Sequence, residues 1–405
     1  MSVDEGKRRL RGTHRSCEPR ETLTRIEPLR RRCGITRVAN LTGLDRVGIP
    51  VVAVYRPNAR SVAVSQGKGV TLEAAKASGT MEAIEVWHAE RCDLPLRRAS
   101  ATELGATHRL CDLSRLPRAT HGSDERSAAR RLWVEGIDLF DHAPTWCPLE
   151  IVDADYTRRP EIDDGLLRST NGLASGNHRL EALCHALCEL IERDAVSLWR
   201  ARGRRRGGLD GRVDPASVDD AVCRELLRRY AEADIDVGIW DVSGDAAVPA
   251  FFVLILDRVT DGMLAARPAN GKGCHLSKAI ALSRALTEAA QTRLTYVSGA
   301  RDDLDEDDYD AAAQRDNVRR CRALLDAPSS SPRDFAALHD PGVTTFENDL
   351  ARLLNGLEGM GVEQAIAIDL APATPEVAVV RVVVPGLEGP DEHPAYRPGT
   401  RALSA

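Results

Sequence analysis

Aromatic side chains are scarce in this chain. They make up 4% of 405 residues against 43% hydrophobic residues overall, so the core must be assembled from Ala, Leu and Val rather than from rings. Neither sign of charge dominates, and the net charge of −6 argues against a nonspecific nucleic-acid binder. The one basic run, Lys7, Arg8, Arg9, Arg11 and Arg15, reads as part of a solvated tail, with residues 1–12 disordered. Long apolar runs are missing too. No window approaches the ~18 residues that a membrane span needs, and the first residues lack the apolar stretch of a signal peptide. The expectation is a cytoplasmic protein without membrane contact. Ten cysteines follow no framework spacing, which predicts free thiols in a reducing compartment.

What is present is an interspersed pattern of strands and helices, which places the chain in the mixed α/β class. β-Branched runs predict strands near Ile35–Asn40, Ile49–Tyr55 and Ser61–Ser65, and a strand pair within Arg130–Phe140. Further strands are expected at Ile235–Val242, Ala250–Asp257, Gln364–Asp369 and Val377–Val384. Helical periodicity covers Leu72–Arg91, His178–Trp199, Ser217–Ala233, Leu276–Ser298, a segment ending at Leu325, and Phe346–Met360. Residues 100–130 read as loop, and "GRRRGG" from Gly203 as a break in the chain. No repeat of 20 to 50 residues and no linker divides the sequence, so residues 13–401 are expected to form one domain, possible as two closely packed subdomains.

Three of these helices carry a polar seam. At about 100° per residue, Ser78, Glu82 and Glu85 fall within roughly 60° of one another. Glu181, His185, Cys188 and Glu192 share an arc of about the same width on the second helix, with Glu189 just off it. Arg284, Glu288 and Gln291 form the third stripe. A solvent face accounts for the third equally well, since Arg284 and Glu288 are an ordinary i,i+4 ion pair. The second helix is different, because Ala, Leu and Ile fill the rest of its circumference and buried carboxylates must be paired or metal-bound. Mg²⁺ is the natural candidate, a hard ion that takes oxygen ligands and shares them with phosphates. Arg15, Lys68, Arg193, Arg284, Arg293 and Lys272 supply cations for such phosphates. The "GKG" segments at Gly67–Gly69 and Gly271–Gly273 read as turns before the first and third helices, able to offer backbone N–H groups to an anion, although neither has Walker A spacing. Zinc at Cys184, His185 and Cys188, and a nucleophilic Cys188, are weaker readings, because the spacing is poor and an apolar helix commonly buries cysteine. The Asp-rich stretch Asp302–Asp310 lacks the positions of a calcium loop and reads as a solvated connector.

The segments "SGTMEAIE" (Ser78–Glu85), "NGLASGNHRLEALCHALCELIERDA" (Asn171–Ala195) and "RALTEAAQTRLTYVSGARDDL" (Arg284–Leu304) resemble the YcaO family, and the resemblance extends from about Gly12 to Arg401. It implies a YcaO-type ATP-binding fold and an enzyme that uses ATP and Mg²⁺ to activate a peptide-bond oxygen. It further implies that Glu82, Glu85, Glu189 and Glu192 ligate Mg²⁺, and that Asn177, Glu181, Arg193, Arg284 and Glu288, with Arg15, Lys68, Ser78 and Gln291, bind the nucleotide. Val86 and Ala174 depart from the family pattern, which has Arg and often Ser at those positions. The chain also lacks the Pro-x-Pro-x-Pro tail of the azoline-forming members. Its "GTHR", "GITRVANLTGLDRVGIPV" and "SVAVSQGKG" segments resemble instead the members that work with a TfuA-type partner, a resemblance that implies sulfur delivery and thioamide formation in a ribosomally made peptide or a protein, and allows a homodimer. Azoline formation, amidine formation and a nucleotide-binding accessory role are the alternatives.

Overall fold

A computed structural model describes residues 6–120, 129–158, 162, 164–259, 267–327, 331–342 and 344–405. Three sheets carry the architecture. The first is an antiparallel meander of β3 (Arg37–Asn40), β4 (Val51–Tyr55) and β5 (Val64–Lys68). The second runs in the order β11 (Arg212–Val213), β12 (Ile235–Asp241), β13 (Ala250–Asp257), β14 (Ala269–Cys274). The third has β10 (Leu173–Gly176), β16 (Ala378–Val383), β15 (Ile366–Asp369), β8 (Arg131–Asp138) and β6 (Leu96–Ala99), with β9 (Pro144–Pro148) also paired to β8. Two small ribbons complete the strands, β1 (Arg8–Leu10) with β2 (Thr13–Arg15) and β7 (Arg118–Ala119) with β17 (Tyr396–Arg397). The helices are α1 (Pro19–Arg32), α2 (Leu72–Ala89), α3 (Ala101–Gly105), α4 (Arg179–Arg206), α5 (Ala221–Glu232), α6 (Lys278–Ser298), α7 (Ala311–Asp326), α8 (Phe346–Gly359) and α9 (Thr400–Ser404).

The site rests on three strand–helix units, β5–α2, β10–α4 and β14–α6, in which each helix follows its strand and packs back on it. The glycines explain the close approach. A Cβ on Gly67 would stand 2.1 Å from the Ala75 carbonyl oxygen, and one on Gly271 would stand 2.1 Å from that of Ala285. Gly271–Gly273 is therefore strand interior, and Gly67 and Lys68 end β5 with Gly69 just beyond it, where the composition leads one to expect turns. Their glycines serve helix packing, and composition alone does not separate that use from a turn.

Other boundaries move for similar reasons. α4 runs through Gly203 to Arg206 and ends at Gly207, whose φ of 70° supplies the left-handed cap. The segment 130–140 is one strand rather than a pair, its partner β9 lying beyond the turn. Residues 100–130 contain α3, started by a Ser100–Glu103 capping box, while 121–128 lie outside the described residues. α1, for which periodicity gave no signal, opens with Pro19 and a Glu18–Glu21 capping box. Of the expected tail, residues 1–5 lie outside the described residues. Arg8–Leu10 pairs with Thr13–Arg15, and Lys7 is tied to Asp349, so that part is ordered by backbone pairing and a buried ion pair.

The few aromatics are concentrated. Trp199, Trp240 and Phe252 meet with ring centroids 5.2–6.1 Å apart beside α4, within a cluster otherwise dominated by aliphatic side chains. Among the described residues no helix is long and apolar enough to cross a membrane.

Candidate functional site

The seams of α2, α4 and α6 open on one cavity of about 1130 Å³, closed at one end by the β1–β2 hairpin. Its wall contains Arg15, Lys68, Ser78, Glu82, Glu85, Asn177, Glu181, Glu189, Glu192, Arg193, Arg284, Glu288 and Gln291. Thirteen of the residues singled out from the sequence thus face one space. Thr71 caps α2 through the Ala74 N–H and His178 caps α4 through the Glu181 N–H, which sets the rotation of both seams.

Part of the acid in this wall is already neutralised. Glu288 pairs with Lys68 and accepts from the Lys272 backbone N–H at 3.2 Å. Burial alone would raise its pKa, but Lys68 and then Arg193 outweigh that and bring it down to about 2. Glu181, 3% exposed, accepts from the Ser16 N–H and hydroxyl at 3.0 Å each, from Asn177 Nδ2 at 3.1 Å and from Arg15 at 3.3 Å. Thr22 donates to Asn177 Oδ1 at 2.9 Å, which orients the amide. Glu192 lies 3.3 Å from Arg193, yet burial still raises its pKa, with Arg193 opposing.

The remaining carboxylates have no such partner. Among the described residues no Lys, Arg or His nitrogen lies within 4.0 Å of Glu82, Glu85 or Glu189. Glu85 accepts from the Ser175 hydroxyl at 2.9 Å, and Glu189 from the Gly172 N–H at 3.1 Å. Each keeps some surface open to the cavity while protein encloses it on the other sides. Burial pushes the Glu82 pKa up to about 7 against the attraction of Arg301 and Lys68. Glu85 rises well above the carboxylate range, through burial first and then the charges of Glu82 and Glu189. Oxygen donors of one sign, buried and unpaired, suit a hard divalent cation. Among the described residues no group of three or more His, Cys, Asp or Glu side chains is gathered closely enough to hold a metal ion. Mg²⁺ asks for less, since it is commonly held by one or two carboxylates with phosphate oxygens and water supplying the rest.

Some candidates fall elsewhere. Lys272 is buried and pairs with Glu392, and Arg293 binds Asp45 and Asp257, so neither lines the cavity. Cys184, Cys188 and Cys274 surround a separate 40 Å³ cavity behind α4, and burial keeps the Cys184 and Cys274 thiols protonated. Two further wall residues lie outside the helical seams. Gln66 is 1% exposed with its Nε2 unpaired, and Arg301 forks onto Asp303 with one bond of 2.7 Å. Gln66 lies in a strand and Arg301 in a loop, outside any helical projection. His185, part of the α4 seam, also faces the cavity.

The family model for YcaO cyclodehydratase, ATP- and Mg²⁺-binding, matches residues 66–388. An uncharacterized protein in the tfuA 3′ region of Rhizobium leguminosarum bv. trifolii is 36% identical over 383 residues, 92% of this chain and 88% of that relative. A protein of Methanothermobacter thermautotrophicus is 35% identical over 380 residues, 91% and 94% of the two chains. Among solved structures, YcaO from Methanopyrus kandleri bound with AMPPCP and Mg²⁺ matches with a TM-score of 0.72 at 23% identity, over 96% of this chain and 97% of that one. A heterocyclase in complex with substrate and cofactor gives 0.78 at 22% identity; it covers 95% of this chain, which spans only 55% of the heterocyclase. At these identities the structural likenesses bear on the fold.

Proposed function

Because the chain belongs to the YcaO family, whose description is ATP- and Mg²⁺-binding, we propose that it phosphorylates a backbone amide oxygen of a peptide and that sulfur then replaces that oxygen to give a thioamide. The observation that carries this reading is the division of one cavity wall into unpaired carboxylates on α2 and α4 and a cationic side supplied by α6, β5 and the hairpin. In it, the unpaired Glu82, Glu85 and Glu189, with Glu192 beside Arg193, hold Mg²⁺, which when bound offsets the charge of the transferred phosphoryl group. Arg15, Lys68, Arg193 and Arg284 orient the phosphate chain, while Ser78, Asn177, Glu181, Glu288 and Gln291 complete the nucleotide's surroundings. The amide oxygen attacks the γ-phosphorus of ATP and ADP leaves. Sulfide then adds at the activated carbon, and phosphate departs with the former amide oxygen. Residues 13–401 act as one catalytic domain in the cytoplasm.

The sulfur step and a TfuA-type partner are supported by the 36% identical relative in the tfuA 3′ region. Azoline formation is the second reading, favoured by the family's description as a cyclodehydratase. Product mass separates the two. Incubation with ATP, Mg²⁺, sulfide, a TfuA-type protein and a candidate peptide is expected to yield a product heavier by the difference between sulfur and oxygen. Loss of one water would establish the azoline reading, and absence of peptide-dependent ATP turnover across candidate peptides would leave the accessory role.

A further inference from the structure

Most cations of the cavity wall are matched to a carboxylate: Arg15 to Glu181, Lys68 to Glu288, Arg168 to Asp153, Arg193 to Glu192 and Arg301 to Asp303. Among the described residues, Arg284 and the exposed Arg11 are the wall cations without one. Arg284 is nevertheless held. Its Nη2 donates to His185 Nε2 at 3.1 Å, from one seam to the next. A guanidinium can only donate, so Nε2 must be the acceptor and the ring proton sits on Nδ1. His185 stands one turn beyond Glu181 and one before Glu189 on α4, and it touches both the large cavity and the 40 Å³ pocket behind it. Burial, then the charges of Arg284, Arg15 and Lys68, keeps the imidazole neutral, its pKa well below the usual histidine value. Arg284 Nε is buried without a partner, so the group retains unused donor capacity as well as its full charge.

We propose that His185 is a positioning residue for phosphate binding: its ring nitrogen fixes the direction of Arg284 by a hydrogen bond that leaves the guanidinium charge uncancelled for an anion in the cavity. A carboxylate at the same place would anchor the arginine equally well but would consume its charge. This inference rests on the nucleotide reading above and adds to it a division of labour among the cations. The matched ones meet the phosphates with their charge partly offset by a carboxylate, whereas Arg284, bound by a neutral base, meets them with its charge intact.

Three variants test it through the affinity for Mg²⁺ with AMPPCP, measured by calorimetry on protein whose folding is checked by circular dichroism. His185→Leu removes the acceptor and is expected to weaken binding roughly tenfold, the scale of one lost hydrogen bond to a charged group. His185→Gln places an amide oxygen near the position of Nε2 and should restore most of that affinity. His185→Glu keeps an acceptor but cancels the charge, and should bind more weakly than His185→Gln. In the unaltered protein, ¹⁵N NMR should report a neutral Nδ1–H ring. Binding by His185→Leu equal to that of the parent, or by His185→Glu equal to His185→Gln, overturns the positioning role alone. Absence of AMPPCP binding in the unaltered protein removes the nucleotide reading and this inference with it.

Discussion

The β5–α2 and β14–α6 units share a plan and differ in charge. Both carry Gly-Lys-Gly in the strand, at the end of β5 and inside β14, and both present a seam spaced by four and then three residues, Ser78/Glu82/Glu85 against Arg284/Glu288/Gln291. Glu288 faces Lys68 and its pKa falls to about 2. Glu82 and Glu85 face no close cation, and burial drives them up, Glu82 to about 7. The same residue type, buried in the same cavity, is held ionised on one helix and pushed toward the protonated form on the other. With both sets enclosed, the partner opposite separates the two outcomes, and the α2 side is the one without a cation within 4.0 Å among the described residues.

Exchanging the acids of the two units for amides sharpens this contrast. Glu82→Gln should lower peptide-dependent ATP turnover on the order of 100- to 1000-fold, as expected for removal of one preorganised charge-stabilising group, measured by steady-state phosphate release. Stability should move in opposite directions on the two helices. Glu288→Gln strands Lys68 and is expected to cost about 2 kcal/mol, between the values for exposed and buried pairs, whereas Glu85→Gln relieves repulsion and should leave the metal-free protein as stable or more stable in denaturant melts. The smallest effect is in the pH dependence. A carboxyl raised from 4.5 to about 7 binds more protons folded than unfolded, so Glu82 makes the metal-free protein less stable as pH rises from about 4.5 to 7. Glu288, lowered to about 2, adds stability above 4.5 that is lost as pH falls toward 2. Melting temperature against pH should show the first slope in Mg²⁺-free buffer, and Mg²⁺ with AMPPCP should flatten it.

Much of this was readable from the chain. Helical projection found the three seams because the 3.6-residue period survives in any helix, and the seam residues other than Cys188 line the cavity. The strand character of Gly271 and Gly273 was hidden, since "ANGKGC" has little β propensity and becomes a strand through the close packing of α6. Gln66 and Arg301 reach the site from an edge strand and a loop, which a helical projection does not cover. The pairing of His185 with Arg284 joins residues 99 apart in sequence, a contact that tertiary structure alone reveals. The N-terminal hairpin was mistaken for a tail because its basic residues look solvated until Lys7 meets Asp349 and Arg15 meets Glu181.

The central claim is that the cavity carboxylates of α2 and α4 hold a divalent ion beside nucleotide phosphates. Anomalous diffraction from crystals grown with Mn²⁺ and AMPPCP tests it most directly. The account predicts a peak bonded to oxygens drawn from Glu82, Glu85, Glu189 and Glu192 and to the phosphate chain. A bound nucleotide whose metal ion lies away from all four glutamates would contradict it.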